Sequence, residues 1–188
     1  MKKIALFASG NGSNFQAIID EIAKGNLPAE IVALVTDKPD CFAVQRAQNH
    51  NIPVFSFNPK NYKSKEEYEK EIAFYLIEKN ASLLVLAGYM RLIGEVLLQA
   101  FNNRIINIHP ALLPAFAGKN GILQAYQYGV KIFGVTVHYV DAGMDTGKII
   151  AQECFKANGT ETFEEIEQKI HAIEHQLYTK VIRELCIY

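Results

Sequence analysis

Short apolar runs alternate with segments of helical period along almost the whole chain. Residues 3–8 form an apolar run that breaks into Ser9-Gly10-Asn11-Gly12-Ser13-Asn14. Phe15, Ile18, Ile19, Ile22 and Ala23 then recur at the spacing of one helix face, and Gly25 marks the end of that helix. A second strand is expected over residues 30–36, a helix from Cys41 to His50 and a short strand at Pro53–Phe55. Ser64-Lys65-Glu66-Glu67 has capping-box spacing and predicts a helix running to Lys79. Further strands are expected over Ser82–Ala87 and Arg104–His109, and helices over Gly94–Phe101 and Leu123–Tyr128. Phe133–Val140 and Lys148–Phe155 read as partner strands around a turn-rich loop, Asp141–Gly147. A second capping box, Thr162-Phe163-Glu164-Glu165, opens a last helix whose stripe is Phe163, Ile166, Ile170, Ile173, Leu177 and Val181.

This alternation predicts an α/β fold. The expected form is an open, mostly parallel twisted sheet with helices on both faces and an antiparallel strand pair toward the C-terminus. With 188 residues and neither linker nor repeat, the chain reads as a single domain, residues 1–188. Apolar residues at 49% and charged residues at 21% are globular values and argue against disorder. A net charge of −1 leaves no basic excess to hold a polynucleotide or an anionic membrane, so small-molecule partners are expected, each gripped locally. Cys41, Cys154 and Cys186 are scattered and form no CxxC pattern. They read as ordinary small apolar residues of a reducing compartment, with neither a disulfide framework nor a metal site. The N-terminal apolar run is too short for a signal peptide, and no segment approaches the roughly 18 apolar residues of a membrane span, so a cytoplasmic protein is expected.

Ligands of open α/β sheets bind beyond the carboxyl ends of the strands. Four polar clusters fall at such ends: residues 9–14, 88–91, 107–110 and 141–147. The first feeds a helix N-terminus through glycines, an arrangement that can hold a phosphate on backbone N–H groups. Asp37, at the end of the second strand, raises a dinucleotide reading in which it would bind ribose; Phe15 in place of the third glycine of G-x-G-x-x-G favours a phosphate monoester instead. On the strand Ile105–His109, side-chain alternation puts Asn107 and His109 on one face and Ile106 and Ile108 on the other. An Asn amide and an imidazole side by side can donate to a developing oxyanion and move a proton near neutrality. Asp145 supplies a carboxylate to orient the imidazole, with Asp141 as the competing acid or a turn residue. His138 reads as structural.

These segments together resemble the glycinamide ribonucleotide transformylases, the phosphoribosylglycinamide formyltransferases of purine biosynthesis within the formyl-folate transferase superfamily. The matching runs are Phe7–Asn14, Ala87–Arg91, Asn107-Ile108-His109-Pro110-Ala111-Leu112-Leu113-Pro114, and Val137–Asp141 through Asp145-Thr146-Gly147, in the family's order. The resemblance implies a Rossmann-like formyltransferase fold. It also implies 10-formyltetrahydrofolate as co-substrate, no required metal, and a monomer or weak homodimer. Carried over by position, it makes Asn107, His109 and Asp145 the catalytic trio. Gly12, Ser13 and Asn14 would hold the phosphate, Met90 and Pro110 would touch the ribonucleotide, and Glu174 would bind its ribose hydroxyls. Arg91, Leu92, Ile93, Val140, Asp141 and Met144 would line the folate pocket, largely through backbone groups. The chain departs from the family pattern at Ala115–Gly121, where Pro or Lys commonly precedes the Gly and a His often follows, and at Lys148, where Pro is usual. Formyltetrahydrofolate hydrolases and transfer-RNA formyltransferases share this core but add domains that these 188 residues do not display.

Overall fold

The computed structural model describes residues 1–187. Seven strands form one sheet: β1 (Lys2–Phe7), β2 (Ala29–Thr36), β3 (Val54–Ser56), β4 (Leu83–Leu86), β5 (Ile105–His109), β6 (Ile132–Tyr139) and β7 (Ile149–Lys156). The helices are α1 (Ser13–Ala23), α2 (Phe42–Asn49), α3 (Lys65–Glu78), α4 (Glu95–Ala100), α5 (Gly121–Tyr128) and α6 (Phe163–Ile187). The strand order β3-β2-β1-β4-β5-β6-β7 has parallel pairing from β3 through β5, while β6 and β7 add antiparallel. The chain builds outward from β1 to β3, then crosses back to place β4 on the other side of β1. The carboxyl ends of β1 and β4 therefore flank the switch point, where such sheets leave a crevice.

The pleat sorts the apolar residues of β1 between two cores. Ile4, Leu6 and Ala8 pack with Phe15, Ile18, Ile170, Tyr178 and Val181 of α1 and α6. Ala5 and Phe7 pack with Tyr68, Ile72, Leu76 and Leu97 of α3 and α4 on the opposite face. Ile106 and Ile108 belong to the first core and Ile105 to the second, the alternation expected for β5.

Both capping boxes form, one of them shifted. Thr162 Oγ1 accepts from Glu165 N at 3.3 Å, and Glu165 Oε2 accepts in return from Thr162 N at 2.9 Å. Ser64 Oγ accepts from Glu67 N at 3.4 Å, but the Glu67 carboxylate turns one residue further back, to Lys63 N. The expected elements are present with ends moved by a few residues. The largest shift is α5, which begins at Gly121, where Asn120 turns into the helix with φ 60°. A 3-10 turn at Pro59–Asn61, not expected from periodicity, is capped by Asn58 Oδ1 accepting from Lys60 N. Cys154 departs from the apolar reading and lies exposed on edge strand β7. No helix among the described residues is long and apolar enough to cross a membrane.

Tyr178 ties α6 to the sheet directly below the crevice. Its buried hydroxyl donates to the carbonyls of Leu86 (2.9 Å), the last residue of β4, and Ile106 (3.2 Å), on the neighbouring strand β5. Tyr178→Phe leaves both carbonyls without this donor and is expected to cost about 1–2 kcal/mol of stability. A lower urea midpoint with unchanged denaturant slope would report it.

Candidate active site

Three strand ends and one loop supply the polar side chains at the carboxyl edge of the sheet. Pro110 ends β5 immediately after His109, so Asn107 and His109 sit at its last turns of pleat. Thr136, paired opposite His109 in β6, braces the segment that follows: its Oγ1 donates to Ala111 O (2.7 Å) and accepts from Leu113 N (3.0 Å). The loop after β6 is organised by Asp141, whose Oδ1 accepts from Gly143 N (3.0 Å) and Thr146 Oγ1 (2.6 Å). Asp141 is thus the turn residue of the two acids, although it lies in the loop expected to contact folate. Asp145, held in the left-handed region at φ 57°, turns its carboxylate back toward β5.

The three residues expected to carry the chemistry meet there. His109 Nδ1 lies 3.3 Å from Asp145 Oδ2, and Asn107 Nδ2 lies 3.5 Å from Asp145 Oδ1. His109 Nε2 faces the Phe116 carbonyl at 2.8 Å, an acceptor only, so this nitrogen carries a proton and donates. The Asp145 carboxylate faces Nδ1 on the other side of the ring. Asp145 Oδ2 also accepts from Gly118 N at 2.8 Å. Residues 115–121, where the chain departs from the family pattern, thus lie over His109 and Asp145 and contact both through backbone groups.

The structure adds to the trio a residue that its sequence context marks only as structural. His138 stands directly opposite Asn107 in the β5–β6 pairing, with Nε2 3.2 Å from Asn107 Nδ2 and 3.5 Å from Asp145 Oδ1. Its Nδ1 faces the Tyr139 carbonyl at 2.7 Å, an acceptor only, so this nitrogen carries a proton, and Nε2 lies between the Asn107 amide and the Asp145 carboxylate. His138 is the largest cause holding Asp145 below the ordinary carboxylate range; Gly118 N and His109 act in the same direction against burial. Asp145 is therefore a carboxylate throughout the neutral range.

Across the crevice, α1 starts at Gly12 (φ 74°) with no side-chain cap among the described residues, and its first N–H groups point toward the strand ends. Asn14 is buried and its Oδ1 has no hydrogen-bond partner. Arg46 of α2 holds the loop before it, donating to both Asn11 O (2.9 Å) and Asn11 Oδ1 (3.0 Å). Asp37 is engaged by Ser9 and Arg91, one on each carboxylate oxygen, which removes it as a free ribose ligand. Met90, Leu92 and Met144 expose large apolar side chains, whereas Ile93 is buried.

Glu174 reaches the same end of the molecule along α6. Lys2 at the start of β1 contacts Leu185 O, so α6 runs toward the amino ends of the strands. Glu174 precedes Tyr178 by one turn, which sets it about 6 Å nearer the crevice than the Leu86 and Ile106 carbonyls. It is buried, and its Oε2 accepts from His171 Nδ1 at 2.6 Å, a contact that raises the His171 imidazole above its usual value. The i, i+3 spacing that brings His171 onto Glu174 is the local sequence signal of this pair. Among the described residues no group of His, Cys, Asp and Glu has the arrangement of a metal site.

Comparison with known proteins bears on this geometry. A family model described as formyl transferase matches residues 2–182. The phosphoribosylglycinamide formyltransferase of Bacillus subtilis is 51% identical over 185 residues, covering 98% of this chain and 95% of the relative. The crystal structure of glycinamide ribonucleotide transformylase 1 from Geobacillus kaustophilus superposes with a TM-score of 0.96 at 51% identity, covering 98% of each chain. That of phosphoribosylglycinamide formyltransferase from Streptococcus pneumoniae superposes with a TM-score of 0.91 at 41% identity, covering 98% of this chain and 99% of the other.

Proposed function

The chain belongs to the formyl transferase family, and from that premise we propose that it moves the formyl group of 10-formyltetrahydrofolate to the amine of 5′-phosphoribosylglycinamide, a step of purine biosynthesis. The observation that carries the residue assignment is the meeting of Asn107, His109 and Asp145 within 3.5 Å at the carboxyl edge of the sheet. α1 starts without a side-chain cap just after β1 ends at that edge, and Met90, Leu92 and Met144 expose apolar side chains.

The residues present suit both substrates. The amides at Ser13 and Asn14, at the positive end of α1, can hold a phosphate with no Lys or Arg. Glu174 stands where ribose hydroxyls would donate to it, and Met90 and Pro110 border the path between phosphate and trio. Leu92, Met144 and the backbone of Arg91, Ile93, Val140 and Asp141 offer the apolar and hydrogen-bonding edges that a pterin needs.

In the reaction the amine attacks the formyl carbon and negative charge grows on the formyl oxygen. Asn107 Nδ2 faces His138 Nε2 at 3.2 Å and makes only a 3.5 Å contact to Asp145, so one of its N–H bonds can turn to that oxygen. His109 Nε2–H is the second donor, and a substrate oxygen there competes with the Phe116 carbonyl that now accepts from it. Asp145 fixes His109 through Nδ1 and, as a carboxylate at neutral pH, accepts the amine proton, directly or through a water, for delivery to the leaving nitrogen.

The test follows absorbance on release of tetrahydrofolate, with and without the ribonucleotide. Turnover that requires 5′-phosphoribosylglycinamide is the expected result. Equal turnover in its absence would make the chain a hydrolase, and no turnover with either would leave it a binding protein.

A further inference from the structure

A second polar cluster at the carboxyl edge joins residues 90 and 91 to Ser9 and Asp37, two residues that no step above uses. The Asp37 side chain is 6% exposed and lies at the end of β2. Its Oδ1 accepts from Ser9 Oγ at 2.6 Å and its Oδ2 from Arg91 Nε at 2.9 Å. Ser9 Oγ in turn accepts from Met90 N at 3.0 Å, and Ser9 N donates to Gly88 O at 3.0 Å. The bonds close a ring running Asp37, Ser9, Met90, Arg91 and back to Asp37. It joins the ends of β1, β2 and β4 across the switch point.

We infer that Asp37 and Ser9 are positioning residues for the formyl donor, holding residues 90–93 in the conformation that receives the pterin. The inference rests on the assignment of the folate pocket in the preceding subsection. Beyond the ring, the segment is anchored at its far end by Gly94 N donating to Glu69 Oε1 at 2.6 Å, and otherwise by packing: Tyr89 sits edge-on to Phe7 at 5.3 Å, and Ile93 is buried in the core that holds Leu97 of α4. The ring supplies what packing lacks, a fixed direction for the backbone groups of 90 and 91. It also commits the Met90 N–H and the Arg91 Nε–H to the protein, so neither is available to a ligand. What remains for the donor is the exposed apolar side of Met90 and Leu92 and the backbone beyond Arg91.

A carboxylate at position 37 accepts from Ser9 and Arg91 at once, on different oxygens, and sets its charge against the guanidinium. Asp37→Asn keeps the volume but removes that charge; with its oxygen on Arg91, its N–H faces Ser9 and reverses that bond, so that Ser9 Oγ must accept from it as well as from Met90 N and the ring is weakened. Ser9→Ala opens the ring outright, leaving Met90 N without its acceptor. Because both substitutions act on one ring, their effects should not add.

Steady-state kinetics, binding of tetrahydrofolate by calorimetry and thermal unfolding on wild type, Asp37→Asn, Ser9→Ala and the double variant test this. Each single variant is expected to raise KM for 10-formyltetrahydrofolate and Kd for tetrahydrofolate about tenfold. The double variant should be no more than about twofold worse than the poorer single. KM for the ribonucleotide and kcat should stay within about threefold, because the phosphate and trio contacts are made elsewhere. A purely structural role would instead lower the unfolding temperature and the active fraction, so that kcat falls and KM and Kd hold; that outcome overturns the inference. Should Asp37→Asn fail to fold, Ser9→Ala, which only deletes an oxygen, decides alone. A wild type that neither binds tetrahydrofolate nor turns over sinks the functional reading and this inference with it. A wild type that does both, with variants that match it, sinks the inference only.

Discussion

Asp145→Asn is expected to lower kcat by about 10³-fold while KM for each substrate changes by less than about fivefold. The substitution preserves volume and removes charge. In the native arrangement one carboxylate receives His109, His138, Asn107 and Gly118 N, all within 3.5 Å. An amide can accept on one side only, so either the His109 or the His138 side loses its acceptor and the protonated form of His109 loses its counter-charge. The proton of the attacking amine then has no carboxylate to receive it. The sign of the linked stability effect is also set. Asp145 is depressed in the folded protein, so its contribution to stability is present above the unfolded value of about 3.9 and is lost as pH falls through the lower folded value. Asp145→Asn should therefore lose stability relative to wild type at pH 7, with the gap closing in strong acid. Urea midpoints at neutral and acid pH check the second point; single-turnover assays check the first. Turnover within tenfold of wild type would remove Asp145 from the proposed mechanism.

Which of these features are legible in the sequence depends on how far apart in the chain their causes lie. Asn107 and His109 are readable because strand alternation is local, and Pro110 announces where the strand must stop. Asp145 is readable as an acid in a returning loop, but Asp141 competes with it in the sequence and is resolved as the turn residue only by its bonds to Gly143 and Thr146. His138 is not, because its role comes from standing opposite Asn107, and antiparallel register is not written in either strand alone. The ring of Ser9, Asp37, Met90 and Arg91 is closed by hydrogen bonds between positions up to 81 residues apart and becomes visible only once β1, β2 and β4 are ordered side by side. Residues 115–121 are legible only as a departure from the family. Their reach over the trio depends on left-handed turns at Phe116, Gly118 and Asn120, and Phe116, unlike the Gly and the Asn, is a residue that does not announce such a turn. Local periodicity thus predicts the elements, while the sites depend on which elements become neighbours.

The second large effect is expected at Gly12, and Gly10 supplies its control. Gly12 adopts φ 74° and a Cβ built there would lie 2.9 Å from Ala43 Cβ and 3.3 Å from Ala43 Cα, atoms that cannot rotate away. Ala at position 12 thus meets both the left-handed penalty of about 1–2 kcal/mol and a contact that must push α1 from α2, typically another ~1–3 kcal/mol. The loop cannot answer by shifting freely, because Arg46 grips Asn11 and Ala43 N donates to Gly10 O. The strain must be relieved at the first turn of α1, where Ser13 and Asn14 would receive the phosphate. Gly12→Ala is accordingly expected to raise KM for the ribonucleotide at least about 10²-fold, since a displacement near 1 Å at a positioning site has effects of that order. KM for the formyl donor should move much less, as its pocket lies across the crevice. Gly10 lies two residues away, has no positive φ, and a methyl group placed on its Cα would meet nothing within 4 Å. Gly10→Ala should leave both constants and the unfolding midpoint close to wild type. If the two alanine variants behave alike, the uncapped start of α1 is not where the phosphate binds.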